Sequence, residues 1–175
     1  KIKAFDWKPL LAESKPELDL LASYIPADQY ALLFPSFQAM LDLVDEAGAA
    51  GTPILQWAEA RSEDAGTKER YEKQIESVAF TGSDPYLRTG TDIAILFRTK
   101  PGKAEFLKTY LEAKWNAVRA GSDEMNLEGH VKKDLKGNPV DVRYRGIKSK
   151  DLQISSLGLF LDDLVVVSNS SWQIT

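Results

Sequence analysis

The chain contains no cysteine. Disulfides, thiolate zinc sites and a cysteine nucleophile are thereby excluded. Histidine is nearly as scarce, because His130 is the only one. Any Ser-His-Asp triad would have to use it, and no Gly-x-Ser-x-Gly turn supplies the serine. Glycines such as Gly102, Gly121 and Gly146 do not assemble a phosphate-cradling loop, and no Gly-x-x-x-x-Gly-Lys motif occurs. Positive charge is not in excess either. Lys and Arg number 22 against 26 Asp and Glu, a formal charge of −4, which gives nucleic acid little electrostatic reason to bind. Lys132, Lys133 and Lys136, interrupted by Asp134, read as a solvated hairpin rather than a phosphate patch. No apolar run approaches the roughly 20 residues of a membrane-crossing helix, and no signal-peptide pattern opens the chain.

What is present is an ordinary globular composition. Of 175 residues, 43% are hydrophobic and 27% charged, enough for one domain with a sizeable core. The clearest structural unit lies at 91–115. Ile93, Ala94, Ile95, Leu96 and Phe97 form a short apolar run that suits a strand covered on both faces. Thr99 is a candidate N-cap, and Pro101 suits the first turn of a helix. Ala104, Leu107, Leu111, Trp115 and Val118 then recur at spacings of three and four, widened by Phe106 and Tyr110 into one apolar face. Gly121 closes the helix.

The remaining segments arrange around this unit. A short helix is predicted over 16–24 and a turn at Ile25-Pro26. A first strand follows at 29–34. Pro35-Ser36 opens a helix with Phe37, Met40, Leu41, Val44 and Ala47 on one face. Met40 reads as a flexible core filler. Further helical turns are expected at 54–61 and 67–74, and a second strand at 75–81. Strands at 130–135 and 140–144 flank a Gly-Asn-Pro turn, with Pro139 at a strand's first position. A second hairpin joins 152–161 to 164–168 through Asp162-Asp163, and Val165-Val166-Val167 is expected at the centre of a sheet.

This order, β-α-β twice and then further strands, predicts an α+β fold. The specific expectation is a ferredoxin-like split βαβ sandwich (β-α-β-β-α-β) with additional C-terminal β-hairpins. Residues 1–28 are expected as an N-terminal helical extension and 29–175 as a single domain. The chain opens without Met and stops just after a strand-like segment, so a fragment of a longer protein is expected.

Two resemblances accompany this reading. The unit from Ile93 through Lys100-Pro101-Gly102 to Leu107 resembles the strand–turn–helix of dimeric α+β barrel proteins. That likeness implies a small monooxygenase-like or haem-binding enzyme acting on a hydrophobic ligand, with His130 as the haem ligand and an enclosed apolar pocket. The strand-rich tail departs from that family. The Ile25-Pro26-Ala27-Asp28 entry, the two βα units and the closing Asp162 to Ser170 segment are similar to uncharacterised α+β domains of large exported bacterial proteins. That likeness implies no known activity, only an extracytoplasmic bacterial setting. A protein partner, or the remainder of the parent chain, is the contact expected from the cut-off ends and the lack of a catalytic constellation.

The candidate ligand-binding residues are Asp84, Tyr86, Arg88 and Asp92, gathered in the turn-rich loop 82–92, and His130. Asp and Arg together could hold a polar ligand, and two Asp a hard cation. No Asp-x-Asp-x-Asp spacing supports a calcium loop, and the ordinary alternative is a turn at Asp84-Pro85 with Arg88 paired to a neighbouring carboxylate. His130 suits proton transfer near neutral pH, its alternative being a surface histidine at a strand start. Asp162-Asp163 reads as a turn rather than an acid/base pair. Trp115 belongs to the core, while Trp7 and Trp172 lie near the ends, where they could mark contacts with other protein. The segment 144–147 could serve as a pairing edge. No catalytic constellation, cofactor motif or metal-ligand spacing emerges. The expectation is a binding or assembly domain of a larger bacterial protein, the alternative the small barrel enzyme.

Overall fold

The computed structural model describes residues 20–46, 71, 73–83, 92–119, 124–133, 138–149 and 155–174. In chain order the elements are β1 (Tyr30–Phe34), α1 (Phe37–Glu46), β2 (Ile75–Gly82), β3 (Ile93–Thr99), α2 (Ala104–Arg119), β4 (Glu124–Lys133), β5 (Pro139–Ser149), β6 (Ser155–Phe160) and β7 (Leu164–Ser168). A 3-10 turn, Ser171–Gln173, closes the described chain. The expected helices at 54–61 and most of 67–74 lie outside the described residues, as does all but the end of the one at 16–24, where residues 20–22 are helical.

The strands form a seven-stranded sheet in the order β1-β2-β3-β7-β6-β5-β4, and every neighbouring pair is antiparallel. The α+β class is as predicted. The strand order does not confirm the split βαβ pattern. That pattern sets the first and third strands side by side and parallel, whereas β1 here pairs with β2, and β3 lies between β2 and β7. The reason lies in the C-terminal hairpin. It does not extend the sheet from outside but inserts β7 beside β3, at the middle position. β7 is Leu-Val-Val-Val-Ser, with Leu164, Val165, Val166 and Ser168 buried. A strand apolar on both faces gains most where both are covered.

Both helices pack on one face. Phe34, Val78, Phe80, Phe97, Val165 and Ile147 meet Phe37 and Met40 of α1 and Ala104, Leu107, Leu111 and Trp115 of α2. The three-and-four spacing read from the sequence is therefore the buried stripe of α2. Trp115 also donates its indole N–H to Ser156 Oγ at 2.9 Å. Tyr71 is the core residue that the pattern concealed. It stands in a charged segment, yet it is 1% exposed and meets Phe106, Phe37 and Tyr110 with ring centroids 4.9, 5.8 and 5.8 Å away. The opposite face carries Ala79, Ala94, Leu96, Leu157, Leu164 and Val166, against which Leu21, Ile25 and Ile174 pack.

Local chemistry sets the helix starts. Ser36 caps α1, its hydroxyl accepting from the Ala39 N–H at 3.1 Å. At α2 the expected cap is replaced. Thr99 ends β3 with its Oγ1 buried and without a hydrogen-bond partner among the described residues. The chain instead turns through Pro101 and Gly102, whose φ of 72° only glycine adopts easily. The Lys103 N–H closes that turn on the Lys100 carbonyl at 3.0 Å. Proline and then glycine at the two central positions is what a turn needing φ > 0 at its third residue selects. The helix begins one residue later, at Ala104.

Candidate functional site

Of the five candidate ligand-binding residues, Asp84, Tyr86 and Arg88 lie outside the described residues. Asp92 and His130 are described, and the fold separates them. Asp92 immediately precedes β3, and His130 is on β4, four strand steps away. At about 4.8 Å per step the two stand roughly 19 Å apart across the sheet.

Asp92 sits in a polar knot at the end of β2, β3 and β7. Its Oδ1 accepts from the Ser83 hydroxyl and its Oδ2 from Gln173 Nε2 at 2.6 Å. Beside it, Asn169 Oδ1 accepts from the Ile93 N–H at 2.7 Å, and the Ser168 hydroxyl donates to the Ile93 carbonyl at 2.7 Å. The Ser83 hydrogen bond, followed by that of Gln173, holds the Asp92 carboxyl below its ordinary range. Both carboxylate oxygens are engaged, Oδ1 by Ser83 just after β2 and Oδ2 by Gln173 of the 3-10 turn. Asp92 is thus built as a latch.

His130 lies exposed on the edge strand. Its Nδ1 meets Asp141 Oδ1 at 2.7 Å, and Lys132 Nζ donates to the same oxygen at 2.9 Å. Lys132 first, and then His130, lower the Asp141 pKa. Within the same cross-strand array Arg143 pairs with Glu128, opposite-charge partners of the kind that stabilise a sheet modestly. The barrel-enzyme expectation required an enclosed apolar pocket with His130 pointing inward. Between sheet and α2, the void lined by Ile95, Phe97, Leu107, Tyr110, Leu111 and Val167 is about 20 Å³, room for about one water. The imidazole faces solvent instead.

An open cleft of about 490 Å³ lies beside the start of α2, with Lys108, Arg143, Arg145, Phe160 and Asp162 among its walls. Its size suits a small ligand, but its charges are already matched. Arg145 pairs with Glu112 on α2 and lies 5.9 Å from the Phe160 ring centroid. Lys108 meets Glu105 at 2.9 Å, and Arg143 is held by Glu128. Three cations paired with three carboxylates, with Asp162 beside them, do not select an anion. The sequence offered no signal for this cleft, since its arginines and its helix are brought together only by the β5–β6 pairing. Among the described residues no three His, Asp or Glu side chains converge to hold a metal ion. No described helix is long and apolar enough to cross a membrane.

The sheet edges are the remaining surfaces of note. The segment 144–147, expected as a pairing edge, is interior. β5 is hydrogen-bonded to β4 on one side and β6 on the other, because residues 124–129, not read as strand, extend β4 along it. Among the described residues the edges are β4 and β1. On β1, Ala31 and Leu32 are both exposed.

Comparison with known proteins adds no assignment: no protein-family model matches the chain, and no curated protein or solved structure is significantly similar to it.

Proposed function

We propose that this chain is a binding or assembly domain of a larger bacterial protein, acting through protein contacts rather than by catalysis. The observation that supports the reading is that β1 is an edge of the sheet among the described residues, and that its adjacent residues Ala31 and Leu32 are exposed on a strand of wholly apolar and aromatic residues. An unpaired strand edge offers a row of backbone donors and acceptors to another chain. The two described ionisable candidates, Asp92 and His130, add nothing that competes with this. Asp92 is spent on the latch, and His130 stands on a solvated rim.

The test is a pairing of two measurements. Native mass spectrometry of the full chain is expected to show association, with itself or with an added protein partner, and no retained small molecule. A broad turnover screen is expected to return nothing. Turnover that disappears in His130→Ala, or a stoichiometrically retained cofactor, overturns the proposal and favours the enzyme.

A further inference from the structure

We infer that Asn169, with Ser168 and Gln173 beside it, is a register lock: it fixes which residues of β3 and β7 pair, at the ladder that joins the two halves of the sheet. The device is independent of the binding reading above.

The sheet order divides at this ladder. β1, β2 and β3 lie side by side in chain order, and β7, β6, β5 and β4 follow in reverse order. β3 meets β7 from Ala94 opposite Ser168 to Arg98 opposite Leu164. Two features ordinarily set a register, a short turn joining the strands and an apolar pattern confined to one face. Neither operates here. α2, β4, β5 and β6 intervene in the chain, so no hairpin turn holds β3 to β7. Both strands carry apolar residues on both faces, Ala94, Leu96 and Val166 on one and Phe97 and Val165 on the other. Side chains alternate with a period of two, so a displacement by two residues keeps every side chain on its own face. It would set Ala94 against Val166, Ile95 against Val165 and Leu96 against Leu164. Those pairs are as apolar as the observed ones, Leu96 with Val166 and Phe97 with Val165.

What distinguishes the observed register lies at the start of β3. The Asn169 N–H donates to the Ile93 carbonyl at 3.2 Å. A regular antiparallel pair would return the Ile93 N–H to the Asn169 carbonyl. That carbonyl instead accepts from the Ser155 hydroxyl of β6 at 2.6 Å. The Asn169 side chain takes its place, Oδ1 accepting the Ile93 N–H at 2.7 Å. One exposed residue thus ties β3 by its side chain and β6 by its main chain. The Ser168 hydroxyl donates to the same Ile93 carbonyl at 2.7 Å, and Gln173 Nε2 to Asp92 at 2.6 Å. A displacement by two residues moves these groups about 6.8 Å along the strand, and all three side-chain contacts are lost.

The absence of cysteine gives a direct readout in the full chain. Leu96→Cys with Val166→Cys reports the observed register. Counting in alternation from the hydrogen-bonded pair Ile93–Asn169, Leu96 and Val166 form a non-hydrogen-bonded pair, with Cα atoms about 4.5 Å apart. Ala94→Cys with Val166→Cys reports the displaced register, because in the observed one those diagonal neighbours stand about 7–8 Å apart, beyond the roughly 7 Å reach of a disulfide. Under mild oxidation the ratio of displaced to observed cross-link is expected to rise about fivefold in Asn169→Ala, the effect of one lost hydrogen bond. It is expected to keep its wild-type value in Ser36→Ala, which loses the cap of α1, outside this ladder. An unchanged ratio in Asn169→Ala, or an equal rise in Ser36→Ala, overturns the inference. If Asn169→Ala does not fold, the same variant carrying the oxidised Leu96→Cys, Val166→Cys pair is expected to fold, because the disulfide holds the register in place of the lock. Failure of that form to fold also overturns it.

Discussion

Gly146 shows how much one missing side chain can decide. It is buried in β5 opposite Leu157 of β6. A Cβ there would run into the Ser156 carbonyl oxygen and meet the Leu157 Cα at 2.8 Å. Both obstacles are backbone, so no rotamer change relieves them. Gly146→Ala is expected to cost about 1–3 kcal/mol, read as a lowered urea midpoint. If its midpoint matches the wild type, the close β5–β6 approach is refuted. Asp92 makes a pH prediction. Its folded pKa is lowered by Ser83 and Gln173, so its stabilisation is complete above the unfolded value near 3.9. It is lost as pH falls from there through the folded value. Asp92→Asn is expected to flatten the stability–pH curve in that acid window. An unchanged acid limb in equilibrium unfolding would deny the latch. Sequence made Asp92 a ligand candidate because carboxylates in turn-rich loops can bind cations. Its actual partners, Ser83 and Gln173, lie 9 and 81 residues away, and the second distance is invisible to any local pattern.

At the scale of elements, the apolar stripe of α2 was legible because a 3.6-residue period translates directly into a buried face. Leu107 sits in its middle at 2% exposure, and Leu107→Ala is expected to cost about 2–5 kcal/mol. Ser36→Ala, at the α1 cap, is expected to cost about 1 kcal/mol. Denaturant titration of both variants checks the order, and a larger loss at Ser36 than at Leu107 would contradict the packing described. The hairpins were readable from their turns. The full length of β4 was not, because residues 124–129 mix acidic, amide and glycine positions that resemble a strand only once β5 lies alongside. Thr99 failed as a cap for a related reason. The positive φ of Gly102 delays the helix start, and Thr99 remains in the sheet, where its N–H reaches the Asp163 carbonyl at 2.8 Å.

At the scale of the molecule, the two edge strands among the described residues differ in character, one charged and irregular, the other short and apolar. If this chain acts by binding another protein chain, folding and association are linked, and the melting temperature is expected to rise with the concentration of that chain. Differential scanning calorimetry across a concentration series measures this, and a concentration-independent transition argues against the binding reading.

By itself the sequence determined the α+β class, most strand positions, the inward face of α2 and the central character of Val165-Val166-Val167. Each follows from periodicity, turn chemistry or burial preference along a short stretch of chain. Only the tertiary structure decided the strand order, the burial of Tyr71, the engagement of Asp92 and which strands were left at the edges. Those depend on pairings between segments far apart in the chain. Several pairings satisfy the same local pattern, and the choice among them is made by the fit of whole faces.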